Sequence, residues 1–353
     1  MRLRNVMIAA TLPALLLAAG CGTSDSGQES APEATETEES TPHGYIEGAE
    51  EAAEPQSRLV LADAGTGGIH VLDLITEEIT EAGEFADPQA LRGDGRYGYL
   101  TGADGTVQVV DSGAWTVDHG DHSHYYRAAI ELGEQLPAGT VPYRETPFTV
   151  ADGTVSGPGL EESCADPSPS SSSRGYPMGT AVTRAGLVLG CADGALLVTE
   201  QEDAEGQFTA ERLPYPDGTE PAARAGEFHH RAGSTTLAAL AADGTGFWLL
   251  DVTTGDWQFT ADDTVTAVNA VGSGGAVLTL TDTGELVSRD GTDGTETARV
   301  PLTGDRIEVD SSRAYISDPE GRQVVEIDYA DGLRTARTFD LGFTPSYMVE
   351  TGR

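Results

Sequence analysis

The chain is 353 residues long, with 58 acidic and 20 basic side chains and a formal net charge of −38. Every basic residue is an arginine, so neither a Schiff-base lysine nor a P-loop lysine can belong to its chemistry. So negative a chain disfavours nucleic acid and anionic lipid surfaces as partners and favours the attraction of cations.

Arg2 and Arg4 precede an apolar run from Val6 to Ala19, broken by Thr11 and Pro13 and too short to span a bilayer comfortably. It ends in Leu17-Ala18-Ala19-Gly20-Cys21, and small residues directly before a cysteine resemble a bacterial lipobox. That resemblance implies a lipoprotein: residues 1–20 removed as a signal peptide, Cys21 lipidated, and the protein anchored at the outer face of the cytoplasmic membrane, at the cell surface or in the periplasm. Ordinary secretion with a leftover cysteine is the other reading. Loss of Arg2 and Arg4 would take the net charge from −38 to −40.

Residues 21–57 read as an acidic, disordered tether. Gly22 to Ser57 holds ten acidic residues and no basic one, among Ser, Thr, Pro and Ala. Such a segment cannot bury enough apolar surface to offset the entropy of ordering. His43 within it reads as a solvated linker histidine.

From Arg58 to Arg353 short β patterns recur. "RLVLADAGTGGIHVLDL" (58–74), "RYGYLTGADGTVQVVDS" (96–112) and "GLVLGCADGALLVTEQ" (186–201) are each an apolar strand, a polar Asp/Gly turn and a second strand. "STTLAALAADGTGFWLLDV" (234–252), "GAVLTLTDTGELVSRDG" (275–291) and "RAYISDPEGRQVVEID" (313–328) repeat the pattern, with a weaker copy at 148–160. Asp73 to Asp111 is 38 positions and Asp251 to Ser288 is 37. A period near 40 with four short strands marks an all-β fold of the β-propeller type. Seven blades are expected, with six or eight as alternatives, and the ring would be closed by the C-terminal strand "TPSYMVE" (344–350) beside Arg58–Ala62. Tyr126 to Leu136 is the one stretch that could hold a short helix. Glu161 to Tyr176, with Ser170 to Ser173, reads as an insertion loop.

If Cys21 is lipidated, Cys164 and Cys191 remain as a pair. In an oxidising exported compartment a pair reads as a disulfide bond, here closing a loop of 28 residues; metal binding by the two is the alternative.

Asp118-His119-Gly120-Asp121-His122-Ser123-His124, followed by Tyr125 and Tyr126, carries three of the seven histidines in the chain. Imidazole and carboxylate suit a borderline cation such as Zn²⁺. In an extended backbone His122 and His124 point to one side, and Gly120 permits a bend that swings His119 towards them. A polar loop with incidental histidines is the other reading. Assigning "AWTVD" (114–118) as the outer strand of the second blade places this cluster on an outer-to-inner connection. Glu227-Phe228-His229-His230 begins a later inner strand, so His119, His122, His124, His229 and His230 are expected to cluster on one face, near the central channel. His70, in mid-strand, reads as a buried or cross-strand histidine. Tyr125 and Tyr126 are expected to pack beside the site.

The run "DHGDHSHYY", the later "FHH" and an exported propeller together resemble the AztD family of periplasmic or cell-surface zinc metallochaperones. The resemblance covers residues 58–353, and its most specific element is the 118–126 run. It implies a zinc-binding β-propeller that delivers Zn²⁺ to the solute-binding protein of a zinc ABC importer, with ligands drawn from His119, Asp121, His122, His124, His229 and His230. A tail-assisted transfer is put in doubt, because His43 is the only histidine of the N-terminal segment. No Ser-His-Asp or Cys-His arrangement is recognisable, so an enzyme is not expected, and the protein reads as a monomer. Two alternatives remain: a metal-dependent hydrolase or lactonase on a propeller, with Glu227 or Asp121 as general base, and a propeller scaffold for protein contacts without metal.

Overall fold

The computed structural model describes residues 46–353 except Glu145 and residues 166–178. The expected signal peptide at residues 1–20, Cys21, His43 and Ser170–Ser173 lie outside the described residues. Among the described residues the chain is all-β, apart from one 3₁₀ turn at Pro221–Ala223, and no helix is long and apolar enough to cross a membrane.

The strands form successive antiparallel sheets. In the first, the order is Tyr347–Thr351, Arg58–Ala62, Gly68–Asp73, Ile79–Glu84, with Leu61 opposite Met348 on one side and His70 on the other. In the second it is Pro88–Gly93, Tyr97–Gly102, Val107–Asp111 and, last, Glu131–Leu136. Further sheets follow in chain order over residues 140–163, 180–214, 236–261, 265–301 and 306–340. The weak repeat at 148–160 is thus a true sheet, Thr140–Tyr143, Thr146–Ala151, Thr154–Gly157 and Leu160–Ser163. The whole series is consistent with a β-propeller.

Burial explains why the hairpins were visible in the sequence. Second strands such as Arg58–Ala62 and Leu187–Cys191 are buried at every position, because each sheet packs a neighbour on both faces. Outer strands such as Asp256–Ala261 have no fully buried residue. Val60 and Ala62 of the first sheet pack on Leu91 and Leu100 of the second. On the other face Leu59 and Leu61 meet Tyr315 and Val324 of the last. The Asp/Gly turns work through the carboxylate: Asp104 Oδ1 accepts from both the amide and the hydroxyl of Thr106, and Asp243 does the same for Thr245.

Cys164 and Cys191 are joined by a disulfide bond and are both buried. Breaking it by replacing both with serine is expected to cost about 2–5 kcal/mol of stability, read as a lower denaturation midpoint. An unchanged midpoint would contradict this.

Four local expectations are corrected. Tyr126 to Leu136 is not helical: Ser123–Arg127 and Glu131–Leu136 are strands, each with its own hydrogen-bonded partner. "AWTVD" is not the outer strand of the second sheet; Glu131–Leu136 takes that place. The tether drawn at residues 21–57 is ordered at its end, since Glu50–Ala52 is a strand paired with Ser123–Arg127. The loop expected from Glu161 starts later, because Leu160–Ser163 is an outer strand.

Candidate metal centre

The histidine run sits on a hairpin inserted between the third and fourth strands of the second sheet. Ala114–Asp118 pairs with Ser123–Arg127, and Glu50–Ala52 adds a third strand, in the order Glu50–Ala52, Ser123–Arg127, Ala114–Asp118. The departure point is Gly113, with φ +69°. A Cβ there would lie 2.4 Å from the Ala128 carbonyl oxygen and 2.6 Å from that of Ala129, so only glycine fits. Trp115 stacks on Tyr126 at 5.2 Å and lies under the Arg96 guanidinium at 3.8 Å. Thr116 donates its hydroxyl to the Gly352 carbonyl at 2.9 Å. The last two contacts pin the base of the hairpin to Arg96 beside the second sheet and to Gly352.

At the tip, the His119 amide donates to the His122 carbonyl, and the Gly120 amide donates to Asp118 Oδ1. Gly120 takes φ +87° in open space. This turn brings the three rings together, with centroids 5.0 Å apart for His119–His122, 5.2 Å for His119–His124 and 4.9 Å for His122–His124. One ring nitrogen from each of the three lies within 4.8 Å of the others. Among the described residues this is the only group of three or more such side chains that could hold a metal ion.

Two of the rings are oriented by carboxylates. Asp121 Oδ1 lies 2.7 Å from His122 Nδ1, and Glu51 Oε1 lies 2.6 Å from His124 Nδ1. Both Nε2 atoms turn inward and approach to 3.1 Å. Two nitrogens at 2.0–2.1 Å from a tetrahedral zinc would be about 3.3 Å apart, so the donor set fits such a cation with little movement. His119 and His122 are exposed and His124 is buried. The cluster therefore lies at the surface, with one of its three rings anchored.

Of the sequence candidates, His119, His122 and His124 converge. Asp121 lies on the far nitrogen of His122, in an orienting position and outside the ligand group. His229 and His230 belong elsewhere: they line a cavity of about 100 Å³ with Arg92, Glu227, Arg306 and Glu308. His70 is half-buried against Phe343, their rings stacked at 3.8 Å. Tyr126 packs against His124, and Glu51, 73 residues upstream in an unpatterned acidic run, carries no signal in the sequence.

The cavity has its own electrostatics. Burial pushes His230 down to about 4, and its Nε2 donates to the Val182 carbonyl. Burial also pushes Glu308 up to about 8, helped by the charge of Glu350, and Glu350 up to about 8, helped by Asp310. A carboxyl raised in the folded state keeps a proton that the unfolded chain gives up. The stability it confers is present below about pH 4.5 and lost as pH rises through 8. The lowered His230 acts oppositely, adding stability as pH rises from 4 to 6.5. Melting temperature is therefore expected to fall between pH 6.5 and 8.5. Glu308→Gln should flatten that fall; the same slope in the variant would refute the assignment.

No protein-family model matches the chain, and no curated protein matches it in sequence. Its fold matches solved structures. The crystal structure of Citrobacter koseri AztD is 17% identical, with a TM-score of 0.64 over 85% of this chain and 99% of that one. The apo form of the same protein gives 0.63. A Bacteroides uniformis protein assigned as a 6-phosphogluconolactonase is 10% identical, with a TM-score of 0.55 over 84% of this chain and 100% of that one. The chain is thus AztD-like in fold over most of its length.

Proposed function

We propose that the protein is an exported, lipid-anchored zinc metallochaperone that holds Zn²⁺ at His119, His122 and His124 and passes it to the solute-binding protein of a zinc ABC importer. The observation that carries this reading is the convergence of three imidazoles within 4.8 Å, two of them backed by carboxylates. Neutral imidazole nitrogens are good ligands for zinc, and a carboxylate on the second nitrogen is the usual support for such a ligand. The AztD-like fold and the acidic surface agree with it. Exposure of His119 and His122 leaves the cation within reach of an incoming ligand from a partner, as direct hand-over requires.

The scaffold in this reading is a seven-bladed propeller closed through Tyr347–Thr351. Its support is the packing of the last sheet on the first and the pairing of the C-terminal strand with Arg58–Ala62. The tether would let the centre reach a partner at the membrane.

Transfer is tested by mixing the zinc-loaded protein with the metal-free solute-binding protein and following the cation. Hand-over faster than zinc escapes to an excess of chelator is the expected result; a rate limited by free dissociation would sink the delivery claim. The lactonase-like fold keeps a hydrolytic alternative open to the same preparation. Zinc-dependent turnover on ester and lactone panels would favour that alternative.

A further inference from the structure

We propose that Glu51 is a positioning residue of the histidine centre, and that it makes cation retention depend on docking of the strand Glu50–Ala52. The inference rests on the reading of His119, His122 and His124 as the cation site. Glu51 is opposite Tyr126 in the register, so its side chain shares a face with Tyr126 and with His124, two residues back on the same strand. The diagonal contact puts Glu51 Oε1 2.6 Å from His124 Nδ1. That contact holds the proton of a neutral His124 on Nδ1 and leaves Nε2, the atom facing His122, as the ligand. His124 is the buried member of the three, so the orientation of the anchored ligand is set from the neighbouring strand.

This strand is lightly held. It is three residues long, lies at the edge of its sheet and has no fully buried residue. Besides its backbone pairing it is clipped by Arg127, whose guanidinium donates to both carboxylate oxygens of Glu50 at 2.9–3.1 Å. A docked strand holds His124 ready for the cation, and by reciprocity a bound cation favours the docked strand. Anything that draws the strand off its neighbour lowers the affinity of the centre.

The test uses the purified chain, zinc titration against a chromophoric chelator, and cobalt as a spectroscopic substitute. Glu51→Ala is expected to weaken zinc binding about 10–100-fold and to speed loss to chelator correspondingly. One cation should still bind per chain, with the parent cobalt spectrum. Glu51→Gln, which keeps an acceptor but loses the charge, should fall between. Arg127→Ala, which loosens the strand and leaves Glu51 in place, should weaken binding in the same direction. Zinc should slow hydrogen exchange at the Glu51 and Ala52 amides in the parent and less so in Glu51→Ala. An unchanged melting temperature without metal separates positioning from unfolding. Parent affinity and parent release rate in Glu51→Ala overturn the inference; if binding is then still lost in His122→Ala/His124→Ala, the site reading stands alone. A parent protein that binds no zinc overturns both.

Discussion

Replacing His122 and His124 together by alanine is expected to weaken zinc binding by on the order of a thousandfold or more. Losing a group that merely orients a ligand costs about 10–100-fold, and this variant removes two of the three converging nitrogens. The fold should survive. Neither ring belongs to a hydrophobic core cluster, and the hairpin that carries them is an insertion between two strands of a complete sheet. Competition with a chelating dye gives the affinity, and circular dichroism gives the fold. Parent affinity in the folded variant would remove the hairpin as the cation site.

Zinc affinity is expected to drop steeply below about pH 6. A cation takes only the unprotonated ring, and histidine in model peptides titrates near 6.5. In acid each ligating imidazole must release a proton on binding, so three of them cost up to about a thousandfold in affinity per pH unit. Titrations at pH 7.5, 6.5 and 5.5 follow the fall, and zinc should raise the melting temperature at the highest pH and not at the lowest. Binding that is flat across this range would mean that imidazoles are not the ligands. The cavity gives a contrasting signature, because its Glu308 and Glu350 change charge near pH 8 and act on stability whether or not a cation is present.

The repeats were legible because second strands are buried on both faces and turns need Asp or Gly; "RLVLA" and the Asp104-Gly105 turn announce themselves. The density of histidines at 119–124 was equally plain, and the bend at Gly120 is where their spacing required it. What the sequence did not show depends on partners far away in the chain. "AWTVD" has the alternation of an outer strand and becomes a hairpin arm because Gly113 turns the chain out of the sheet before it. Glu50 and Glu51 look like any other acidic residues of the tether until Ser123–Arg127 is beside them. Counting connections alone puts His229 and His230 with the triad. In the fold they end an irregular innermost segment, in which Ala225 bridges Ala241 and His229 bridges Ala238, and they line the cavity instead.

The account turns on where the cation is held, and anomalous diffraction at the zinc edge answers that most directly. Crystals of residues 22–353 grown with one equivalent of zinc should show a single strong peak among His119, His122 and His124, with Glu51 still on the far nitrogen of His124. A peak in the cavity of Glu227, His229 and Glu350, or no peak at all, would contradict it.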